Sequence, residues 1–455
     1  MSMNDTSFAS ALPLLTNRYS YFLRRQRNLE RWTLVGPICR LDHVAKECHL
    51  ERSVKQLLER QPSLCLRGNF VDGAWQEWLP DSPPTHCIDR LRYEGRLSEV
   101  DLNERVTAAV QHARDGIRFP DALLRIVCIE LLASMETLLI VVVHHLLVDE
   151  HAFRRLIDEL LLLYHEARTG IGARLAPATV LLAEFAKQSM SYWCAREREE
   201  LAYWCDLPWS SRNALGVAGA HRSMDNIEAF TTQSVATIPV GNEREFLAHF
   251  YRQARVPMVE VLVEAIAAAY RDWTDTALNL AMVLHGRSGI EKIDVSRTIA
   301  WISEAVPLAI DTLANPGTYP TVREQLARAH ARGRSYGALR YLSHNTDVQC
   351  AMKQLPESLL SLNVKLRTTT AQARPTGSLI LPLGSRTDNA NDDTQRVFLL
   401  SAGAYFEQGR FCLSWDYSRK LFDATSIDTF SRLCMQRFIE GAQRIGVAMH
   451  ISVLS

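Results

Sequence analysis

The stretch VVVHHLLVDEHAF, Val141 to Phe153, sets two adjacent histidines and, after a three-residue apolar spacer, an aspartate at the end of a hydrophobic run. An imidazole near its ordinary pKa of about 6.5 can take a proton from an amine or hydroxyl as that group attacks an activated carbonyl. Gly333-Arg334-Ser335-Tyr336-Gly337 spells GxSxG but follows an expected helix rather than a strand, so it is no strand-to-helix nucleophile elbow. Direct acyl transfer therefore suits these residues better than a covalent acyl-enzyme. A carboxylate buried behind such a loop calls for an arginine, because an unpaired buried charge is costly. A second reading uses the same residues without chemistry: one histidine satisfied in the core, the other exposed, and Asp149 only capping a helix. The residues alone leave both open.

The elements around the motif fix where it must lie. Thr137–Val143 is apolar and β-branched, as a strand buried on both faces should be. In Glu150–Ala167 the residues Phe153, Leu156, Ile157, Leu160 and Tyr164 form one helical stripe, and Asp149 stands at the N-cap position. His144 and His145 therefore fall in the turn between strand and helix, where α/β proteins gather side chains on a ligand. The rest of the chain alternates likewise. Helices are expected at Leu50–Arg60, Val106–Arg114, Glu243–Ala254, Pro257–Asp272, Tyr319–Gly333 and Asp423–Ala442, and strands at Leu123–Leu132 and Ala277–Leu284. Two hairpins are expected, Leu64–Phe70 with Ala74–Leu79 around Asp72-Gly73, and Arg396–Phe406 with Arg410–Tyr417 around Gln408-Gly409. Loop-rich stretches at Arg168–Ala178 and Asp206–Asn226 bracket a helical segment with Tyr192, Trp193, Tyr203 and Trp204; Ala371–Gln395 reads as a long polar loop. This divides the chain into an N-terminal lobe over residues 1–178 carrying the histidines, a crossover over 179–226, and a C-terminal lobe over 227–455.

Composition excludes several classes. With 51 basic against 51 acidic residues, net charge gives no reason to expect a nucleic-acid or anionic-membrane surface. No apolar run approaches the length of a membrane span, and the first basic residue, Arg18, follows rather than precedes the apolar part of the N-terminus, unlike a signal peptide. A cytoplasmic protein is expected. Ten cysteines occur with no CxxC and no zinc-finger spacing, so reduced thiols and no structural metal are expected. Arg24, Arg25 and Arg27 could meet an acidic partner, although a charge cluster on a helix is usually solvated surface.

HHLLVDE resembles the HHxxxDG signature of condensation and epimerization domains of nonribosomal peptide synthetases and, more distantly, of chloramphenicol acetyltransferase-like acyltransferases. Other stretches resemble that family's motifs in order: LPLLTNRYSYFLRRQ from Leu12, RQPSLCLRGNF from Arg60, ELAYW from Glu200, LHGR from Leu284, SRTIAW from Ser296, RGRSYGALRYL from Arg332 and LSWDYSRKLFD from Leu413. The resemblance runs from about Leu12 to about Ala442. It implies an α/β fold of two chloramphenicol acetyltransferase-like lobes forming a V-shaped pseudo-dimer with a central tunnel. It places His145 at the tunnel centre as base or orienter of the nucleophile, His144 and Asp149 in support, and Trp301 on the acceptor side.

The departures are informative. The arginine of the second motif falls on Cys65; Arg67, two residues on and so on the same strand face, is the expected partner of Asp149. Arg287 of the HGR element also supports the loop. Glu150 replaces the glycine after the aspartate and brings a carboxylate to the helix start near the tunnel. FNYLG is eroded to LNVKL, Leu362 to Leu366, leaving Asn363. The epimerizing branch needs a glutamate just ahead of HGR, and Val283, which holds that place, cannot carry a proton. The resemblance thus implies a stand-alone condensation enzyme moving an acyl group from the phosphopantetheine thioester of an acyl or peptidyl carrier protein to a small-molecule amine or alcohol. No cofactor is expected to be bound by the protein. The alternative is a non-catalytic member that holds or gates carrier proteins, and residual epimerization is a third reading ranked below it.

Overall fold

The computed structural model describes residues 12–18, 21, 29–72, 74–84, 86–176, 180–210, 215, 223–287, 293–312, 320–366, 379–381 and 393–447. The Arg24, Arg25 and Arg27 cluster, Gly73 of the first hairpin turn, and most of the Asp206–Asn226 and Ala371–Gln395 loops lie outside the described residues.

The strands are β1 (Thr33–Val35), β2 (Ile38–Leu41), β3 (Arg67–Val71), β4 (Ala74–Trp78), β5 (Ile88–Tyr93), β6 (Leu124–Leu131), β7 (Glu136–His144), β8 (Thr231–Pro239), β9 (Leu278–Leu284), β10 (Glu304–Ile310), β11 (Leu360–Lys365), β12 (Leu379–Leu381), β13 (Leu400–Glu407) and β14 (Arg410–Ser418). They form two mixed six-stranded sheets and the β3–β4 hairpin. The first sheet runs β12-β2-β7-β6-β5, with β1 also on β7; the second runs β10-β9-β11-β13-β14-β8. This is the mixed α/β architecture expected, with helices against two open sheets.

The apolar strand β7 lies between β2 and β6 in the first sheet and is buried from Thr137 through His144, as a strand apolar on both faces should be. The helix Glu150–Thr169 then begins one turn later. Asp149 is its N-cap, accepting from the Ala152 N–H at 2.8 Å, and Gly170 ends it at φ +75°. The helices Met258–Thr274 and Ala424–Arg444 pack together on the second sheet, burying Ile266, Phe430 and Phe438.

Each sheet has its own apolar core. The stretch Val295 to Ile302, although it precedes β10 of the second sheet, packs into the first core, so it ties the halves together. One hairpin strand differs from expectation: Pro62–Cys65 is a 3-10 turn, and extended backbone begins only at Arg67. The expected helix at Glu243–Ala254 is α-helical only to His249 and continues as one π turn.

Candidate functional site

The two histidines have different surroundings. His144 is fully buried at the end of β7, its Nδ1 accepting from the Leu146 N–H at 3.0 Å and its Nε2 donating to the Leu29 carbonyl at 2.7 Å. Those bonds fix the tautomer and commit both ring nitrogens to holding the turn, which leaves no nitrogen to act as a base. His145 is only part-buried and lies on the wall of a cavity of about 470 Å³. Its backbone N–H donates to the Trp32 carbonyl at 2.8 Å. Its ring stacks on Trp32, centroids 3.8 Å apart and 11° from parallel, with Trp301 edge-on at 5.1 Å. Tyr21 stacks on the far face of that assembly, 4.1 Å from Trp32. The imidazole is thus held by flat apolar surfaces while one side faces the cavity.

Asp149 anchors the loop. Its Oδ1 caps the helix; Oδ2 accepts from Arg287 Nη1 at 2.7 Å and from the Ile302 and Ser303 N–H groups at 3.0 and 2.9 Å. Burial works to raise this carboxyl, but Arg287 and the backbone donors outweigh it and hold the pKa below the ordinary value. Arg287 also donates to the His285 and Ala300 carbonyls. One ion pair therefore joins the histidine loop, the β9 end and the segment leading to β10.

Arg67 does not take this place. Its Nη1 donates to the Cys65 and Leu66 carbonyls at 2.9 and 3.2 Å. The expectation rested on Cys65 and Arg67 sharing a strand face, and it fails because Cys65 closes a 3-10 turn. Glu150 is also not among the cavity residues. It sits at the helix start, half-exposed, paired with Arg154 and with Lys365 of β11, each at 2.7 Å. Burial favours a raised Glu150 pKa, and the two cations reverse it.

Val283, Trp301 and Asn363 do line the cavity. Val283 and Asn363 face each other in register between β9 and β11. Two further residues escaped the sequence reading. Arg18, 1 % exposed, pairs with Glu77 at 3.0 Å and donates to the Trp301 carbonyl at 2.5 Å and the Leu146 carbonyl at 3.4 Å. It joins the histidine turn to the cavity wall. Glu304, at the start of β10, also lines the cavity, and burial pushes its carboxyl up, with Arg334 and a bond from Thr16 lowering it only in part. A glutamate inside the apolar run IAWISEAVPLAI was the available sign.

Among the described residues no three His, Cys, Asp or Glu gather as a metal site, and no helix is long and apolar enough to cross a membrane. The ten cysteines are free thiols, six of them buried.

The family model described as "Condensation domain" matches residues 38–443. One of the linear gramicidin synthase proteins of Brevibacillus parabrevis is 27 % identical over 429 residues, which is 92 % of this chain and 8 % of that protein. The chain thus spans under a tenth of that relative. Among solved structures, the epimerization domain from the third module of tyrocidine synthetase B superposes with a TM-score of 0.77 at 18 % identity, covering 98 % of this chain and all of that one. A structure of condensation domain-mediated chain release from the enacyloxin polyketide synthase gives a TM-score of 0.62 at 16 % identity, covering 100 % of this chain and 86 % of that one. At these identities the superpositions speak to the fold.

Proposed function

This chain belongs to the condensation domain family, and from that premise we propose that it is an acyltransferase of the condensation type. It takes an acyl group from the phosphopantetheine thioester of a carrier protein to an amine or hydroxyl, forming an amide or ester in nonribosomal peptide or polyketide hybrid biosynthesis, in the cytoplasm. The observation that carries this reading is His145: a part-exposed imidazole on the wall of a cavity of about 470 Å³, held by Trp32 and Trp301.

The chemistry follows from that placement. The thioester brings its own activation, so the protein needs to supply proximity and a proton acceptor. The nucleophile and the thioester carbonyl meet in the cavity; the C–N or C–O bond forms as His145 takes or orients the departing proton, and the C–S bond breaks to release the thiol. Asp149, Arg287, Arg18 and His144 act on the loop's shape. Each satisfies backbone groups around His145 or Trp301, so their contribution is alignment. The reaction calls on no metal or nucleotide bound by the protein.

The test is mass spectrometry of intact carrier proteins loaded with acetyl, octanoyl or alanyl groups and mixed with the protein and candidate nucleophiles. Transfer appears as mass lost from the carrier and gained by the nucleophile. Carriers that stay loaded throughout the panel yet bind the protein would instead support the carrier-holding role.

A further inference from the structure

We propose that Trp32 is a positioning residue that strengthens His145 as a base, its indole face stabilising the imidazolium formed when His145 takes the nucleophile's proton. This rests on the acyl-transfer reading above, with His145 as the proton acceptor, and names a further residue on which that role depends.

The argument starts from the rings around the imidazole. Tyr21, Trp32 and His145 form one stack: Trp32 lies 4.1 Å from Tyr21 at 16° and 3.8 Å from His145 at 11°. Trp301 stands across all three, at 87°, 85° and 75° to Tyr21, Trp32 and His145. The backbone holds the stack in register. The Trp32 carbonyl accepts from the His145 N–H at 2.8 Å, and Thr33 pairs with His144 across β1 and β7. The Leu29 carbonyl takes both the Trp32 N–H at 3.5 Å and the His144 ring at 2.7 Å. The indole is therefore tied to the very turn whose ring it covers.

A leucine at position 32 would also cover the imidazole. What an aromatic ring adds is charge distribution: its face attracts a cation lying against it, most strongly when the ring is tryptophan. Neutral imidazole gains little from that face. The interaction grows as the proton arrives, so it acts on the transition state more than on the bound substrate.

The charged groups around the ring are engaged with other partners. From the N-terminal segment, Arg18 reaches the Leu146 carbonyl and is paired with Glu77. On the turn, Asp149 holds Arg287, while Glu30 and Arg31 precede Trp32 with opposite charges. Across the cavity, Glu304 pairs with Arg334, Glu228 accepts from Thr231, Asp416 accepts from Gln233, and Arg396 donates to the Asp416 carbonyl. Tyr336 and Tyr341 also line that side. Trp32 is the group lying flat against the imidazole.

In the step itself, the nucleophile's N–H or O–H proton passes to His145 as the C–N or C–O bond forms at the thioester carbonyl. The imidazolium then rests against Trp32. The C–S bond breaks and the departing thiolate takes that proton, so His145 ends neutral and nothing is oxidised or reduced.

The test is a histidine NMR titration of wild type, Trp32→Phe and Trp32→Leu. The His145 resonance is the one of 14 that vanishes in His145→Ala. We expect the pH at which it titrates to fall in the order Trp, Phe, Leu, by about 0.5 to 1 pH unit from Trp to Leu. With the acceptor found by the carrier panel above, transfer at high pH falls about 3- to 10-fold in Trp32→Leu, and its acid limb moves down with the titration. A role in packing alone gives the opposite sign, because water admitted by the smaller side chain favours the charged ring. A titration that stays put or moves up therefore overturns the proposal and leaves acyl transfer standing. If Trp32→Leu does not fold, wild type grown with fluorotryptophan decides, since the shape is kept and the negative face weakened; its His145 titration must also move down. A downward shift in a protein that transfers from no loaded carrier removes the acyl-transfer reading, and the proposed part of Trp32 in the reaction with it.

Discussion

Removing the carboxylate of Asp149 should cost this protein a large share of its stability. The Asp149 and Arg287 side chains are only 3 % and 4 % exposed. Breaking such a pair by deleting one partner costs about 3 to 5 kcal/mol, because the other charge stays buried. Asp149→Ala also removes the helix cap, worth about 1 kcal/mol, and strips the acceptor from the Ile302 and Ser303 N–H groups. These losses overlap, since Arg287 keeps the His285 and Ala300 carbonyls. We expect a net loss of about 4 to 6 kcal/mol, against a total stability of about 5 to 15 kcal/mol for a typical protein. Asp149→Asn keeps a capping oxygen and should lose less. The assay is urea unfolding followed by circular dichroism, with Arg287→Met completing a double-mutant cycle. Losses that simply add in the double variant, or a loss under about 1.5 kcal/mol in Asp149→Ala, would refute the reasoning.

The other predictions follow from the same contacts. His144→Ala leaves the Leu29 carbonyl and the Leu146 N–H without their ring partner and should cost about 2 to 4 kcal/mol in urea unfolding, whereas His145→Ala loses mainly ring stacking and should cost about 1 kcal/mol. Gly286 has φ +65°, and a Cβ there would run into the Ile302 carbonyl and Arg334, so Gly286→Ala should lose at least about 2 kcal/mol in the same assay. Asp149 has a lowered pKa in the folded protein. The stability it contributes is therefore complete above the unfolded value of about 3.9 and lost as pH falls through the folded one. Acid titration of Asp149→Asn should show a shallower fall in stability below about pH 4 than wild type.

Much of the scaffold was legible because local chemistry and tertiary packing agree. Strand β7 reads as buried since every position from Thr137 to Val143 is apolar or β-branched, and Asp149 reads as an N-cap because it precedes a clean apolar stripe. The histidine motif was visible too, and the family resemblance, rather than any local pattern, put His145 at the tunnel and His144 in support. Whether His144 or His145 reaches the cavity depends on which carbonyl lies behind the turn, and Leu29 is over a hundred residues away in sequence.

The pairing of Asp149 was misread for a specific reason. Same-face reasoning holds only inside a strand, and Pro62 starts a 3-10 turn that changes the phase before Arg67. Arg287 reaches Asp149 from the loop after β9, a contact between halves of the chain that no local pattern encodes. Glu150 was misplaced because its partner, Lys365, lies on a strand, β11, that the eroded LNVKL stretch did not announce. Glu304 and Arg18 went unread because a charge inside an apolar run has meaning only once its buried surroundings are known.

The most direct test of the account is a single-turnover acyl-transfer measurement on intact loaded carrier with wild type and His145→Ala, each checked by its unfolding curve. The account predicts that His145→Ala stays folded and loses on the order of 10²-fold or more of the transfer rate. Transfer at the wild-type rate by folded His145→Ala would contradict it.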